Sequence, residues 1–122
     1  IKLDLEIPDS ELYIEGDYNR LKQVFINLIK NSVEAIPDNK VGNIKIYSKE
    51  NNDNIEIFIE DNGIGMSKEV LDKIKDLFFT TKANGTGLGT SLCIEIVEAH
   101  GGKINYSSRE NEGTVVSVML NL

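Results

Sequence analysis

IKIYSKENNDNIEIFIEDNGIG, residues 44–65, is the stretch on which the fold turns. Ile44 and Ile46 alternate with Lys45 and Tyr47, and Ile55, Ile57 and Ile59 alternate with Glu56, Phe58 and Glu60. A period of two is the mark of a strand with one face against a core. Asn51-Asn52-Asp53-Asn54 between the two runs supplies turn-forming side chains, so the pair reads as a β-hairpin. Its second strand runs straight into Asp61-Asn62-Gly63-Ile64-Gly65, which places a carboxylate where a strand hands over to a turn.

Upstream of the hairpin, Leu21, Val24, Phe25, Leu28, Ile29, Val33 and Ile36 recur at helical spacing between a candidate N-cap, Asp17, and a breaker, Pro37. Earlier still, Ile1, Leu3, Leu5 and Ile7 alternate with Lys2, Asp4 and Glu6, predicting a half-buried strand closed by Pro8-Asp9-Ser10, and Leu12 to Glu15 reads as a second short strand. Downstream, a short helix is expected from Ser67 to about Lys75. Residues 76–89 mix aromatics, threonines, a lysine and glycines without a period and read as a long functional loop. A second long helix runs from about Gly89 to His100 and stops at Gly101-Gly102, with the His100 imidazole capping its last carbonyls. Lys103 to Arg109 and Thr114 to Leu120 form a last hairpin turning at Glu110 to Gly113. This order predicts an α+β domain, a layer of helices on a mostly antiparallel sheet.

The 122 residues suit one domain with a single core, residues 1–122. Hydrophobic residues at 40% and charged residues at 27% are ordinary globular values, and no uncharged apolar run approaches the roughly 20 residues that span a bilayer. A net charge of −7 repels a polyanion and argues against a nucleic-acid surface, so any phosphate binding must be local. The lone cysteine, Cys93, sits at helical spacing with Ile96 and Val97 and reads as core; with no disulfide, zinc framework or signal peptide in view, a cytoplasmic setting without direct membrane contact is expected. Because it opens on Ile1, the chain reads as a piece of a longer protein.

On the first long helix Arg20, Asn27, Asn31 and Glu34 fall within a sector of roughly 60° beside the apolar stripe, with Lys30 at its edge. Asparagine costs a helix interior about half a kcal/mol relative to alanine, so two of them one turn apart invite a reason. Either this is a solvated face, with Lys30 a surface lysine, or the amide oxygens are neutral hard ligands suited to magnesium carrying phosphates. Asp61 is either part of a plain Asp-Asn-Gly turn or an acceptor for an exocyclic amine, which would take adenine and refuse guanine. Gly85-Thr86-Gly87-Leu88-Gly89 opens the second long helix, where backbone N–H groups at a helix N-terminus favour an anion, although the same string serves as a hinge. No lysine follows in the P-loop position and no buried parallel strand precedes it. Just before it, Phe78-Phe79-Thr80-Thr81-Lys82 combines two apolar anchors, two hydroxyls and a cation able to meet a terminal phosphate.

In order and spacing, Asn27-Leu28-Ile29-Lys30-Asn31-Ser32-Val33-Glu34-Ala35, Asp61-Asn62-Gly63-Ile64-Gly65-Met66, Phe78-Phe79-Thr80-Thr81-Lys82 and Gly85-Thr86-Gly87-Leu88-Gly89 resemble the N, G1, F and G2 boxes of histidine-kinase catalytic domains. Gln23 and His100-Gly101-Gly102 are also similar to that pattern. The superfamily includes gyrase, mismatch-repair and heat-shock-chaperone ATPases. The resemblance implies a mixed, mostly antiparallel five-stranded sheet covered on one face by three helices, with a mobile ATP lid from about Met66 to Thr86. It implies ATP and Mg2+ as cofactors, Asn31 as the metal ligand, and Asn27, Asn31 and Lys82 as the catalytic set. It further implies that Asp61 binds the adenine amine, that Gly63 and Gly65 let the base approach, and that Gly85, Gly87 and Gly89 cradle phosphates. Lys30, Glu34, Met66, Phe79, Thr80, Thr81, Thr86, Leu88 and Thr114 complete the implied nucleotide site. The chain departs from the family at Thr90, where an aliphatic residue is usual, and at Asp76-Leu77, where Glu-Pro is common.

In hydrolysing relatives a glutamate one turn before the magnesium asparagine activates water; the residue here is Asn27, whose amide takes no proton at neutral pH. The resemblance therefore implies a protein-histidine kinase of two-component signal transduction. Its acceptor histidine would lie on a separate dimerisation helical domain, with a response regulator downstream. A serine-phosphorylating anti-sigma-type kinase, a nucleotide-gated interaction module without catalysis and an ATPase clamp are the competing readings.

Overall fold

The computed structural model describes residues 1–7, 13–76 and 88–122, with the side chains of residues 75–76 and 88–91 outside the description. The elements are β1 (Lys2–Glu6), α1 (Tyr18–Glu34), β2 (Asn43–Glu50), β3 (Asn54–Asp61), α2 (Lys68–Asp76), α3 (Leu88–Ala99), β4 (Lys103–Arg109) and β5 (Gly113–Asn121). The five strands form one sheet in the order β1-β2-β3-β5-β4. β1 runs parallel to β2, and the other neighbours are antiparallel. The expected mixed sheet and its three helices are present.

Local chemistry accounts for the boundaries. Asp17 caps α1 by accepting from Arg20 N at 3.2 Å, leaving one fewer orphan donor in the first turn. In the β2–β3 turn, Asn51 Oδ1 accepts from the backbone N–H groups of Asp53 and Asn54, both at 2.9 Å. α3 ends where His100 Nδ1–H donates to Ile96 O at 2.7 Å. The same ring accepts from Asp17 N at its Nε2, 2.9 Å away. Both contacts together require the neutral imidazole. The residue therefore does more than cap its own helix: it ties the end of α3 to the start of α1.

The core lies between the sheet and the helices. Val24 and Leu28 of α1 and Cys93 and Val97 of α3 are fully buried, and Ile44, Ile59, Val116, Val118 and Leu120 meet them from the sheet. α1 packs over β3, and α3 and α2 over β4. The opposite face carries Tyr47 stacked on Phe58, ring centroids 4.8 Å apart, with Lys45 and Lys49 over the rings.

Two expectations need correction at the N-terminus. β1 forms, but it is not half-buried: Leu3 and Leu5 are 59% and 57% exposed. They register beside the buried Ile44 and Ile46, so they point toward the helix side of the sheet. The helices sit over β3, β5 and β4, leaving this edge beyond their reach. The second expected strand is absent at residues 13–15, which continue as irregular chain into α1; Leu12 lies outside the described residues.

Candidate functional site

A cavity of about 230 Å3 opens between α1, β3, β5 and α2. Five of the residues singled out in the sequence line it: Asn31, Asp61, Gly65, Met66 and Thr114. Apolar walls come from Leu28, Ile64 and Val116. A small apolar pocket with few convergent polar groups is the usual form of a nucleobase or small-ligand site.

Asp61 sits at its floor, 6% exposed. Its Oδ1 accepts from Gly63 N at 2.9 Å and Thr114 N at 3.3 Å. Among the described residues no donor reaches its Oδ2, which leaves an acceptor for a ligand. The turn that holds Asp61 is clamped from two sides. Ile64 N donates to Ala35 O at the end of α1, at 2.9 Å. A Cβ at Gly63 would fall 2.4 Å from that same carbonyl. At Gly65, φ is +66° and a Cβ would meet the Arg109 carbonyl oxygen, so this position suits glycine on both counts. The space these two glycines free is thus taken by protein backbone, which lets the Asp61 turn seat tightly against α1 and the β4–β5 hairpin.

Asn31 stands at the cavity edge with its side chain exposed. Asn27, one turn earlier, is half-buried and turned toward α3: Gln23 Nε2 donates to its Oδ1 at 2.8 Å and its Nδ2 donates to Cys93 Sγ at 3.8 Å. It does not line the cavity. Cys93 is fully buried, and burial pushes its thiol up from the ordinary value, with the Asn27 hydrogen bond a smaller effect in the opposite direction. Lys30 and Glu34 pair with each other at 4.0 Å on the exposed side of α1, 70% and 63% exposed, and do not line the cavity. Such a pair is worth little. Leu88 and Gly89 begin α3. Phe79, Thr80, Thr81, Lys82, Gly85, Thr86 and Gly87 lie outside the described residues.

Two lining residues, Ile74 and Tyr106, carried no signal in the sequence, and two more, Ser32 and Ala35, lie within the stretch 27–35 with no role assigned to them. Ser32 is 4% exposed and follows Asn31; its hydroxyl on an otherwise apolar flank was the available clue. Ser108 was also missed. It faces Thr114 across the hairpin, a neighbour visible only once the register is known.

A larger hollow of about 720 Å3 crosses the ends of all five strands. Lys2, Lys45 and Arg109 there alternate with Asp4, Glu60 and Glu112, so it has no consistent sign with which to gather phosphates.

For a metal, the fit is partial by design. No group of three or more His, Cys, Asp or Glu able to hold an ion occurs among the described residues. Asn31 offers one neutral hard oxygen, which suits magnesium arriving with phosphates and keeping several waters, and does not suit a cage made of protein alone.

Residues 16–122 match the family described as histidine kinase-, DNA gyrase B- and HSP90-like ATPases. The chain belongs to this family. It is 43% identical over 112 residues to sporulation kinase B of Bacillus subtilis (strain 168), covering 92% of this chain and 26% of the relative. It is 38% identical over 120 residues to sensor histidine kinase ZraS of Escherichia coli (strain K12), covering 98% and 25%. Among solved structures, the catalytic domain of histidine kinase ThkA superposes with a TM-score of 0.79 at 40% identity, covering 98% of this chain and 78% of that one. ThkA in complex with response regulator protein TrrA matches with a TM-score of 0.75 at 37% identity, covering 98% and 33%. The chain thus spans about a quarter of these two curated kinases. As a member of the family it carries the ATPase fold, with the cavity between α1 and the sheet.

Proposed function

We propose that this chain binds ATP with magnesium and is the catalytic domain of a protein-histidine kinase, residues 1–122 being one such domain of a longer protein. The observation that carries the reading is Asp61: a buried carboxylate with one oxygen held by two backbone N–H groups and the other left to accept at the floor of a small apolar cavity. Adenine's exocyclic amine fits that acceptor, and a guanine carbonyl would be repelled by it.

Asn31, at the cavity edge, is the residue suited to hold magnesium. Bound there with the nucleotide, the ion would offset charge on the γ-phosphoryl group during in-line transfer. Gly85, Gly87 and Gly89 would bring backbone N–H groups to the phosphates, and Lys82 a cation to the terminal one. Asn27 is the position that sets kinase apart from hydrolase. An amide accepts no proton from water, and here its oxygen is already engaged by Gln23 and its nitrogen by Cys93. ATP would be held for an outside nucleophile, a histidine on the protein's own phosphoacceptor and dimerisation helices, with a response regulator receiving the group afterwards. The kinase names of the relatives and the regulator bound to ThkA favour this partner set. No described helix is long and apolar enough to cross a membrane.

The test is phosphotransfer from γ-labelled ATP to a two-helix phosphoacceptor domain. Acid-labile, base-stable label on the acceptor is expected, and Asn31→Ala should reduce it by about 100-fold as metal-dependent charge compensation is lost. Tight ATP binding with no transfer to any cognate acceptor would turn the reading into a nucleotide-gated interaction module. Full transfer by the Asn31→Ala protein would move the metal elsewhere.

A further inference from the structure

Across the β4–β5 hairpin from Thr114 stands Ser108. Three contacts meet at its hydroxyl: Met66 N donates to Oγ at 2.8 Å, Oγ lies 3.0 Å from Gly113 O, and Oγ lies 2.8 Å from Thr114 Oγ1. A serine hydroxyl has one proton and two lone pairs. The Met66 N–H uses one lone pair. A carbonyl oxygen only accepts, so the Ser108 proton must go to Gly113 if that contact is to be a bond. The Thr114 contact then closes in only one way, with Thr114 giving its own proton to Ser108. All three contacts are satisfied together by this arrangement and by no other.

Its consequence appears at Thr114. With its proton committed to Ser108, the Thr114 hydroxyl presents only lone pairs to the cavity it lines. Asp61 Oδ2 presents lone pairs to the same space, since its Oδ1 is engaged by Gly63 and Thr114 backbone donors. Two acceptors side by side complement a primary amine, which has two protons, and repel a carbonyl oxygen twice over. We infer that Ser108 is a positioning residue for base selection: it fixes the Thr114 hydroxyl as an acceptor, so that Thr114 and Asp61 together read both protons of the amine on the nucleobase. This rests on the adenine-nucleotide reading above, and it deepens that reading by assigning the second acceptor and the group that holds it.

The inference is tested by measuring dissociation constants for ATP and ITP, which differ at this position by amine against carbonyl, on the 122-residue chain. In the Ser108→Ala protein Thr114 is free to rotate and donate, so ATP affinity should fall by about tenfold while ITP affinity holds or rises, narrowing the ATP-to-ITP preference by about tenfold or more. Ser108→Thr, which keeps a hydroxyl in place, should restore the preference. Thr114→Val, close in shape to threonine, should narrow it as Ser108→Ala does, and adding Ser108→Ala to Thr114→Val should narrow it no further. If Ser108→Ala weakens ATP and ITP equally, or Thr114→Val leaves the preference intact, Ser108 merely braces the hairpin and the inference is overturned. If the unsubstituted chain binds neither nucleotide, the adenine reading itself falls and this inference with it.

Discussion

Cys93 and Asn27 show how much a single residue's surroundings decide. The sequence places Cys93 at core spacing and Asn27 on a polar line, and gives no hint that they touch. In the structure the Asn27 amide bridges Gln23 and Cys93. Burial is the larger influence on the thiol and raises its pKa; the Asn27 hydrogen bond opposes it. The thiolate is the reactive form, so the folded chain should react with iodoacetamide at pH 7 to 8 far more slowly than the chain in denaturant; equal rates would contradict the buried placement. The linked stability has a definite sign. A thiol whose proton is held more tightly in the folded state contributes stability fully below its unfolded pKa, and that contribution is lost as pH rises through the higher folded value. Asn31 and Asp61 were legible as polar residues inside a helix and at a strand end, whereas Thr114 came from the family resemblance alone. Tyr106 and Ser108 on β4 were not legible, because a period-two pattern says which residues share a face without saying which strand lies opposite. Ser32 was not, because helical spacing places it beside Asn31 without showing what packs over it.

At the scale of elements, α1 and the two hairpins were readable from periodicity, caps and turn residues, and their observed bounds differ from expectation by a residue or two, as frayed ends do. β1 was readable as a strand and misread as half-buried, since alternation shows that one face is apolar and leaves open whether anything covers it. The link between α3 and α1 through His100 was half legible: the helix end was visible, the Asp17 N–H partner 83 residues away was not. This link ties the start of the helix bearing Asn27 and Asn31 to the end of the helix that begins at the glycine string. His100→Ala removes the acceptor for Asp17 N and the donor to Ile96 O at a partly exposed site. We expect a loss of about 1 kcal/mol, read as a midpoint lowered by a few degrees in thermal unfolding. An unchanged midpoint would show that water replaces the imidazole at no cost.

Taken whole, the molecule sets a buried carboxylate at the inner end of a cleft between one helix and a sheet. The sheet order follows from two hairpins brought together by β3–β5 pairing, a long-range contact that places Thr114 opposite Asp61 and so makes one site from residues 53 positions apart. Of the four boxes, the stretches 27–35 and 61–66 supply residues that line this cavity, while the cross-strand pairing that holds it together came only with the fold. The central claim, that Asp61 holds the adenine of ATP, is met most directly by calorimetric titration of Mg-ATP into the unsubstituted chain and into Asp61→Asn. The asparagine keeps a carbonyl oxygen for the Gly63 and Thr114 backbone donors, so the thermal unfolding midpoint should move little. It replaces the free carboxylate oxygen with an NH2 that faces the adenine amine donor to donor, so affinity should fall by about 100-fold or more. Equal affinity for ATP in the two proteins would contradict the account.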